Sequence, residues 1–179
     1  MCILTDAEIT SMAAAGLLIS DDFSSHSVTP NGYDLRIRTL RLPDAQDEVQ
    51  GDAEIPARSW FVVSTLEKIT LPDDISAQLW IRSSYARKGI FGSFGKVDAG
   101  FSGTLTLSFF NASSGAVRLS GGERVAQIVF ERLCGKTEKN YASRSGNYQE
   151  QKDITLEPRA FSGSSSAAGG KSPPPGNNS

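Results

Sequence analysis

The sequence predicts an all-β domain, a barrel or jelly-roll sandwich of short strands with one short helix at its N-terminal end. Three observations carry this. Alternating apolar and polar segments recur at short intervals, as in Thr104 to Phe110, where Leu105, Leu107 and Phe109 fall on one face and Thr104, Thr106, Ser108 and Phe110 on the other. Clusters such as Leu71-Pro72-Asp73-Asp74-Ile75 and Ser120-Gly121-Gly122-Glu123 break the pattern into turns. Helical periodicity is confined to one stretch before Leu18.

That stretch opens with Thr5-Asp6-Ala7-Glu8, a capping-box pattern in which the hydroxyl and the carboxylate each satisfy a free backbone N–H, followed by Ile9, Met12, Ala13 and Leu17 at helical spacing. It predicts a helix over roughly Asp6 to Ala15, ended by Gly16 and packed on the body of the domain. From Thr29 the pattern becomes β. Tyr33 to Arg38 alternates, and Trp60 to Thr65 is rich in β-branched and aromatic residues. Ser76 to Ile81 is a strand that delivers Arg82, and Arg124 to Leu133 is the last long strand. After Leu133 the apolar pattern fades. Lys139 to Gln151 is polar and rich in Tyr, Asn, Gln and Arg, a segment that builds no core alone and is suited to ordering over a ligand. From Ser162 the composition is Gly, Ser, Ala, Pro and Asn apart from Lys171, which predicts a disordered tail over 162–179.

A chain of 179 residues suits one domain with a proper core. The formal net charge of −2 argues against a general nucleic-acid binder, so any anion site must be local. Cys2 and Cys134 have no paired spacing, which suggests neither a disulfide framework nor a zinc site and fits a reducing cytoplasm. The apolar patch before Leu18 lacks a basic flank and carries Asp6 and Glu8, unlike a secretion signal, and no run approaches the ~20 apolar residues that span a bilayer.

The chemistry concentrates in Arg82-Ser83-Ser84-Tyr85-Ala86-Arg87-Lys88-Gly89-Ile90 and, shortly after, Lys96-Val97-Asp98-Ala99-Gly100-Phe101-Ser102-Gly103. Guanidiniums give fork-like, charge-assisted hydrogen bonds to phosphate oxygens, hydroxyls and backbone N–H groups fill the remaining acceptors, and glycine lets the main chain come close. A carboxylate repels a polyanion, so Asp98 is expected to hold a water, a sugar hydroxyl or a metal ion. A nucleotide polyphosphate uses all of these at once. His26, in a Ser-rich loop with no Cys or second His nearby, reads as an exposed polar residue rather than a ligand. Glu123 reads as a surface charge, and Trp60 and Trp80 as core or interface aromatics.

Five segments in register extend this: Asn31 to Leu35, Arg82 to Gly89, Val97 to Gly103, Gly122 to Ile128 and Gly146 to Gln151. In that order they resemble the superfamily of dUTPases and dCTP deaminases, with the likeness running over roughly Leu4 to Phe161. The resemblance implies one dUTPase/dCTP deaminase-like domain over residues 1–161, folded as a distorted jelly roll (the β-clip barrel). It implies a homotrimer with each nucleotide site at a subunit boundary, closed by a lid segment at about 139–151. It also implies that Arg82, Ser83, Ser84 and Arg87 hold the triphosphate, joined from the lid by Tyr141, Asn147 and Gln151. Asp98 would contact the water and the deoxyribose, Phe101 would lie under the sugar, and Gln127 would be structural.

The two branches of the superfamily differ in chemistry. In the deaminases a glutamate ten positions after the aspartate shuttles protons at C4 of cytosine; here that position is Ser108. A serine hydroxyl has no charge change near pH 7 and cannot replace the shuttle unaided. Phosphoanhydride hydrolysis needs less: a water-orienting carboxylate, Mg²⁺ on the phosphates and positive charge on the leaving pyrophosphate. The expectation from sequence is therefore a dUTP diphosphatase with Asp98 as its catalytic residue, using Mg²⁺ held by phosphate oxygens rather than by a cluster of protein ligands. The lid, with Tyr141, Tyr148 and Gln151, looks like that of the deaminases, although Asn147 stands where many of them carry a lysine, with Arg144 nearby. The alternatives are a dCTP deaminase and a non-catalytic nucleotide-binding trimer.

Overall fold

The computed structural model describes residues 2–42, 45 and 47–158. The expected tail over 162–179 lies outside the described residues. After β1 (Cys2–Ile3) comes α1 (Asp6–Ala14), one residue shorter than expected. Both halves of its capping box form: Thr5 N–H donates to the Glu8 carboxylate at 3.0 Å and Glu8 N–H to Thr5 Oγ1 at 3.4 Å. At the other end Gly16 N–H bonds Ala13 O and Leu17 N–H bonds Met12 O, which closes the helix and turns the chain into β2 (Leu18–Asp21). Ile9 is fully buried and fixes the helix to the body.

The framework is β4 (Gly32–Arg41), which β3 (Val28–Thr29) joins by pairing, together with β5 (Ala53–Ile55), β6 (Trp60–Thr65), β7 (Lys68–Thr70) and β8 (Ile75–Ile81). A single helical turn, α2 (Ser83–Ala86), leads to β9 (Ile90–Ser93), β10 (Lys96–Val97), β11 (Ser102–Gly103) and β12 (Thr106–Asn111). Then come β13 (Val117–Leu119), β14 (Arg124–Arg132) and α3 (Tyr141–Arg144). The main sheet runs β10-β8-β14-β4-β6-β12-β9, with small sheets β11-β7-β2 and β13-β5 beside it. β4 is the corner strand. Its first half pairs with β14 and its second half with β6, and the register shifts in both pairings. Such bulges bend and twist a strand, so one long segment serves both halves of a curled, jelly-roll-like all-β fold.

The core lies inside the curl. Tyr33, Leu35, Phe61, Val63 and Ile128 are fully buried and Phe109 nearly so; Phe61 stacks on Phe109 at 5.2 Å, and Phe94 meets the same ring edge-on at 5.2 Å. One carboxylate sits in it. Glu67 is fully buried, accepts Arg36 N–H at 2.9 Å and Arg36 Nε–H at 2.7 Å, and lies 3.3 Å from the Tyr33 hydroxyl. Burial pushes its carboxyl above the usual range, and the Arg36 bonds pull it back part of the way.

Two expectations about strands change. Thr104 and Leu105 fall outside β12, because Thr104 N–H donates to Gln151 O at 3.0 Å and Thr104 O accepts Gln151 Nε2–H at 2.6 Å, while Leu105 N–H donates to Thr65 Oγ1. Trp60 and Trp80, expected as core or interface aromatics, are 43% and 58% exposed, which removes the core alternative. No helix among the described residues is long and apolar enough to cross a membrane.

Candidate functional site

β10 runs antiparallel to β8, with Val97 opposite Ala77, and so carries Asp98 to the mouth of a cavity of about 470 Å³. Asp98, Ala99, Gly100 and Phe101 form a turn closed by Phe101 N–H to Asp98 O at 3.1 Å. Gly100 has φ +82°, and a Cβ there would lie 2.6 Å from Asn140 Cβ. Only glycine lets the turn and the C-terminal segment approach this closely. The turn buries Phe101, which is 5% exposed, with the Tyr141 ring edge-on at 5.5 Å.

The opposite wall is β12. Ser108, half-buried, projects from the same face as Thr106 and Phe110 and sits across from Ser93 and Val62, which line the cavity with it. Tyr141, Tyr148 and Gln151 close the third side. They are anchored by Tyr141 N–H to Ala99 O (2.9 Å), Glu150 N–H to Ser102 O (2.7 Å) and the paired Thr104–Gln151 bonds. Gly103 makes room for that pairing, since a Cβ on it would lie 2.9 Å from Gln151 N. The polar segment after Leu133 is thus docked on the domain through backbone bonds, which its composition did not indicate.

Of the residues singled out from sequence, Asp98, Phe101, Ser108, Tyr141 and Gln151 therefore meet at one cavity. Asn147 is half-buried but does not line it. Arg82, Ser83, Ser84 and Arg87 do not line it either. The expectation that the cationic stretch stands beside the carboxylate fails within one chain, because β8 intervenes. Asp98 adjoins the Ala77 end and Arg82 follows Ile81, five residues on, about 17 Å along an extended strand. The stretch is also a helical turn rather than an open loop, with Arg82 O accepting from Tyr85 N and Ala86 N.

At that far end Arg82, Ser84, Lys88 and Arg124 line a second depression of about 440 Å³. Arg82 Nε lies 2.9 Å from Asp34 Oδ2 and its Nη1 donates to Arg124 O, so its guanidinium is held in place by a carboxylate that is itself buried. Burial pushes the Asp34 carboxyl up, against the pull of Arg82 and Arg124. Burial and the neighbouring Glu123 push the Tyr85 phenol up as well, so it stays protonated. Glu123, expected as a plain surface charge, also closes its turn by accepting Ser120 N–H at 2.9 Å. Gln127 bonds Thr29 Oγ1, the structural role expected of it.

Among the described residues, Asp98 is the one carboxylate lining the 470 Å³ cavity, and no cluster of three metal-ligating side chains exists. Sequence reasoning missed Ser93 and Phe94 as wall residues, and Tyr148 was noted only as part of the lid. The short run Ile90-Phe91-Gly92-Ser93-Phe94 mixes apolar and small polar residues without alternation, so no cavity wall is legible in it.

A family model described as "dCTP deaminase-like" matches residues 3–133. A dCTP deaminase of Thermococcus kodakarensis is 42% identical over 147 residues, covering 79% of this chain and 92% of that protein. A probable deoxyuridine 5'-triphosphate nucleotidohydrolase of Sulfolobus islandicus rod-shaped virus 1 is 36% identical over 157 residues, covering 86% of this chain and 97% of that protein. The crystal structure of 2'-deoxycytidine 5'-triphosphate deaminase from Agrobacterium tumefaciens superposes with a TM-score of 0.64 at 25% identity, covering 73% of this chain. The chain spans about half the length of that structure, 48%. These findings overturn the expectation of dUTP hydrolysis, which rested on Ser108: the family model, the 42% identical relative and this structural neighbour all bear the deaminase name. The one position Ser108 weighed too heavily against a likeness over 79% of the chain, and this chain belongs to the dCTP deaminase-like family of the dUTPase/dCTP deaminase superfamily.

Proposed function

We propose that the chain is a dCTP deaminase, which binds dCTP at the Asp98 cavity and exchanges the 4-amino group for oxygen from water, giving dUTP and ammonia. The observation that supports this most is the convergence of Asp98, Phe101, Ser108, Tyr141 and Gln151 on one cavity in a chain 42% identical to a protein named dCTP deaminase. Water addition at C4 and departure of ammonia both need a proton carrier. Asp98, the cavity's carboxylate, takes that task, while Ser108 Oγ orients the water and Phe101 supports the deoxyribose beneath Tyr141.

The triphosphate needs cations that the cavity itself lacks apart from Lys96. Arg82, Ser83, Ser84 and Arg87 supply them from a second copy, in a homotrimer whose sites lie between subunits. An exposed aromatic row supports such burial: Phe110 pairs across strands with Trp60 on one side and Phe91 on the other, continuing the Ser108 face, and the three are 40%, 43% and 64% exposed. Mg²⁺ would arrive with the nucleotide, held by phosphate oxygens and its own waters, since the described residues hold no carboxylate cluster for it. The unpaired, exposed Cys2 and Cys134 suit a reducing cytoplasm.

Asp98→Asn is expected to abolish ammonia release while leaving dCTP binding measurable; a near-normal rate would refute the assigned role. Mixing Arg87→Ala and Asp98→Asn chains is expected to restore activity, because some shared sites regain both intact halves. A second reading, nucleotide binding without turnover, is favoured by Ser108 itself. It stands if dCTP binds tightly and no ammonia is released.

A further inference from the structure

Among the described residues three buried side-chain oxygens have no hydrogen-bond partner: Ser76 Oγ, Glu131 Oε2 and Thr137 Oγ1. All three lie around one place. Ser76 and Thr137 line a polar cavity of about 320 Å³, and Glu131 stands across the β8–β14 pairing from Ser76, with Oε2 3.7 Å from Nζ of Lys96, another lining residue. Ser76 and Glu131 are 3% and 5% exposed. Buried polar atoms in folded proteins are nearly always partnered, so three unpaired ones around one place call for a common explanation.

The rest of the lining says what that is. The lining itself brings three positive charges, Lys96, Lys139 and Arg144, against the one carboxylate of Asp98, with Glu131 and Asp73, which accepts from the lining Asn140 at 2.9 Å, standing just behind it. Ser76 and Thr137 offer hydroxyl donors, whereas Glu131 Oε2 needs a donor aimed at it. The matching ligand has several acceptor oxygens and one O–H of its own. We propose that this cavity binds a singly protonated phosphate group, whose oxygens accept from Ser76, Thr137, Lys139 and Arg144 while its P–OH donates to Glu131. Sulfate has the same shape without the proton and meets Glu131 with repulsion.

The site is distinct from the Arg82 depression, with which it shares no lining residue. Lys96, Asp98 and Tyr141 form a wall common to it and to the 470 Å³ cavity. The inference does not rest on the deaminase reading, because it is read without nucleotide or turnover.

The test is calorimetric titration of the full chain with inorganic phosphate and with sulfate at matched ionic strength. Phosphate is expected to bind the wild type at least tenfold more tightly than sulfate, and to keep that preference in Arg87→Ala, which removes a cation of the triphosphate cradle and none of this cavity. Thr137→Val, which keeps the side chain's shape, combined with Lys139→Ala is expected to weaken phosphate at least tenfold with an unchanged melting profile. Repeating the titration at saturating dCTP separates two sources: retained binding assigns the cavity to a free anion, and displaced phosphate assigns it to the phosphate end of the nucleotide. The proposal is overturned if phosphate does not bind, if sulfate binds equally, or if binding is lost with Arg87→Ala and kept in the Thr137→Val, Lys139→Ala variant.

Discussion

Replacing Ser108 by glutamate puts the reaction chemistry under direct test. Ser108 projects from β12 into a cavity of about 470 Å³, between Ser93 and Val62, and is half-buried. A glutamate there adds one carboxymethyl-sized extension into open volume, with its backbone position fixed by pairing on both sides of β12. A partly desolvated carboxyl rises from its ordinary value of about 4.3 toward neutrality, which suits a group that must take a proton from water and return it to the departing amine. A positioned acid–base group contributes about 10²- to 10⁴-fold, or about 3–5 kcal/mol of barrier at 1.36 kcal/mol per decade. Ser108→Glu is therefore expected to raise kcat for ammonia release from dCTP at least a hundredfold with little change in nucleotide affinity. The assay is coupled ammonia detection alongside equilibrium binding of dCTP. A variant that folds and binds dCTP but releases ammonia no faster than wild type would refute the placement of Ser108 beside C4 of the base.

Two further perturbations address how the site is held. Gly100→Ala must accommodate a Cβ 2.6 Å from Asn140 Cβ at φ +82°, and is expected to cost about 1–3 kcal/mol and to loosen the docked segment at Tyr141; thermal unfolding and proteolysis between 133 and 151 check it, and an unchanged melting temperature would contradict the close approach. The Glu67 carboxyl is raised in the folded state by burial, so its protonated form is the one folding favours. Its contribution is complete below the unfolded value and is lost as pH rises through the folded one, so the stability advantage of wild type over Glu67→Gln should narrow from pH 4 to pH 8 in urea titrations. An advantage that widens with pH would mean that the Arg36 pair outweighs burial.

Local signals were legible in the sequence wherever one segment carried its own answer. The Thr5–Glu8 capping box needs only four residues, and Trp60 to Thr65 appears as a strand with the bounds expected. Signals that depend on distant segments were not. The departure of Thr104 and Leu105 from β12 is caused by Gln151 and Thr65, and nothing in the alternation of that strand announces either. Period-two patterning tells which residues share a face but not which face is covered, and so the core and interface alternatives for Trp60 and Trp80 are separated only by their exposure. The largest gap was spatial. Arg82 and Asp98 lie close along the chain, yet β8 holds them at opposite ends, and only the register of Val97 against Ala77 reveals it. Glu67, buried with Arg36 and Tyr33, stands between Leu66 and Lys68 with no pattern to mark it.

The most direct measurement is the fate of dCTP itself, followed by chromatography and ammonia detection with purified chain and Mg²⁺. A deaminating site at the Asp98 cavity predicts dUTP and ammonia appearing in equal amounts, with both lost in Asp98→Asn. Recovery of unaltered dCTP from chains that hold it at this cavity would contradict that claim.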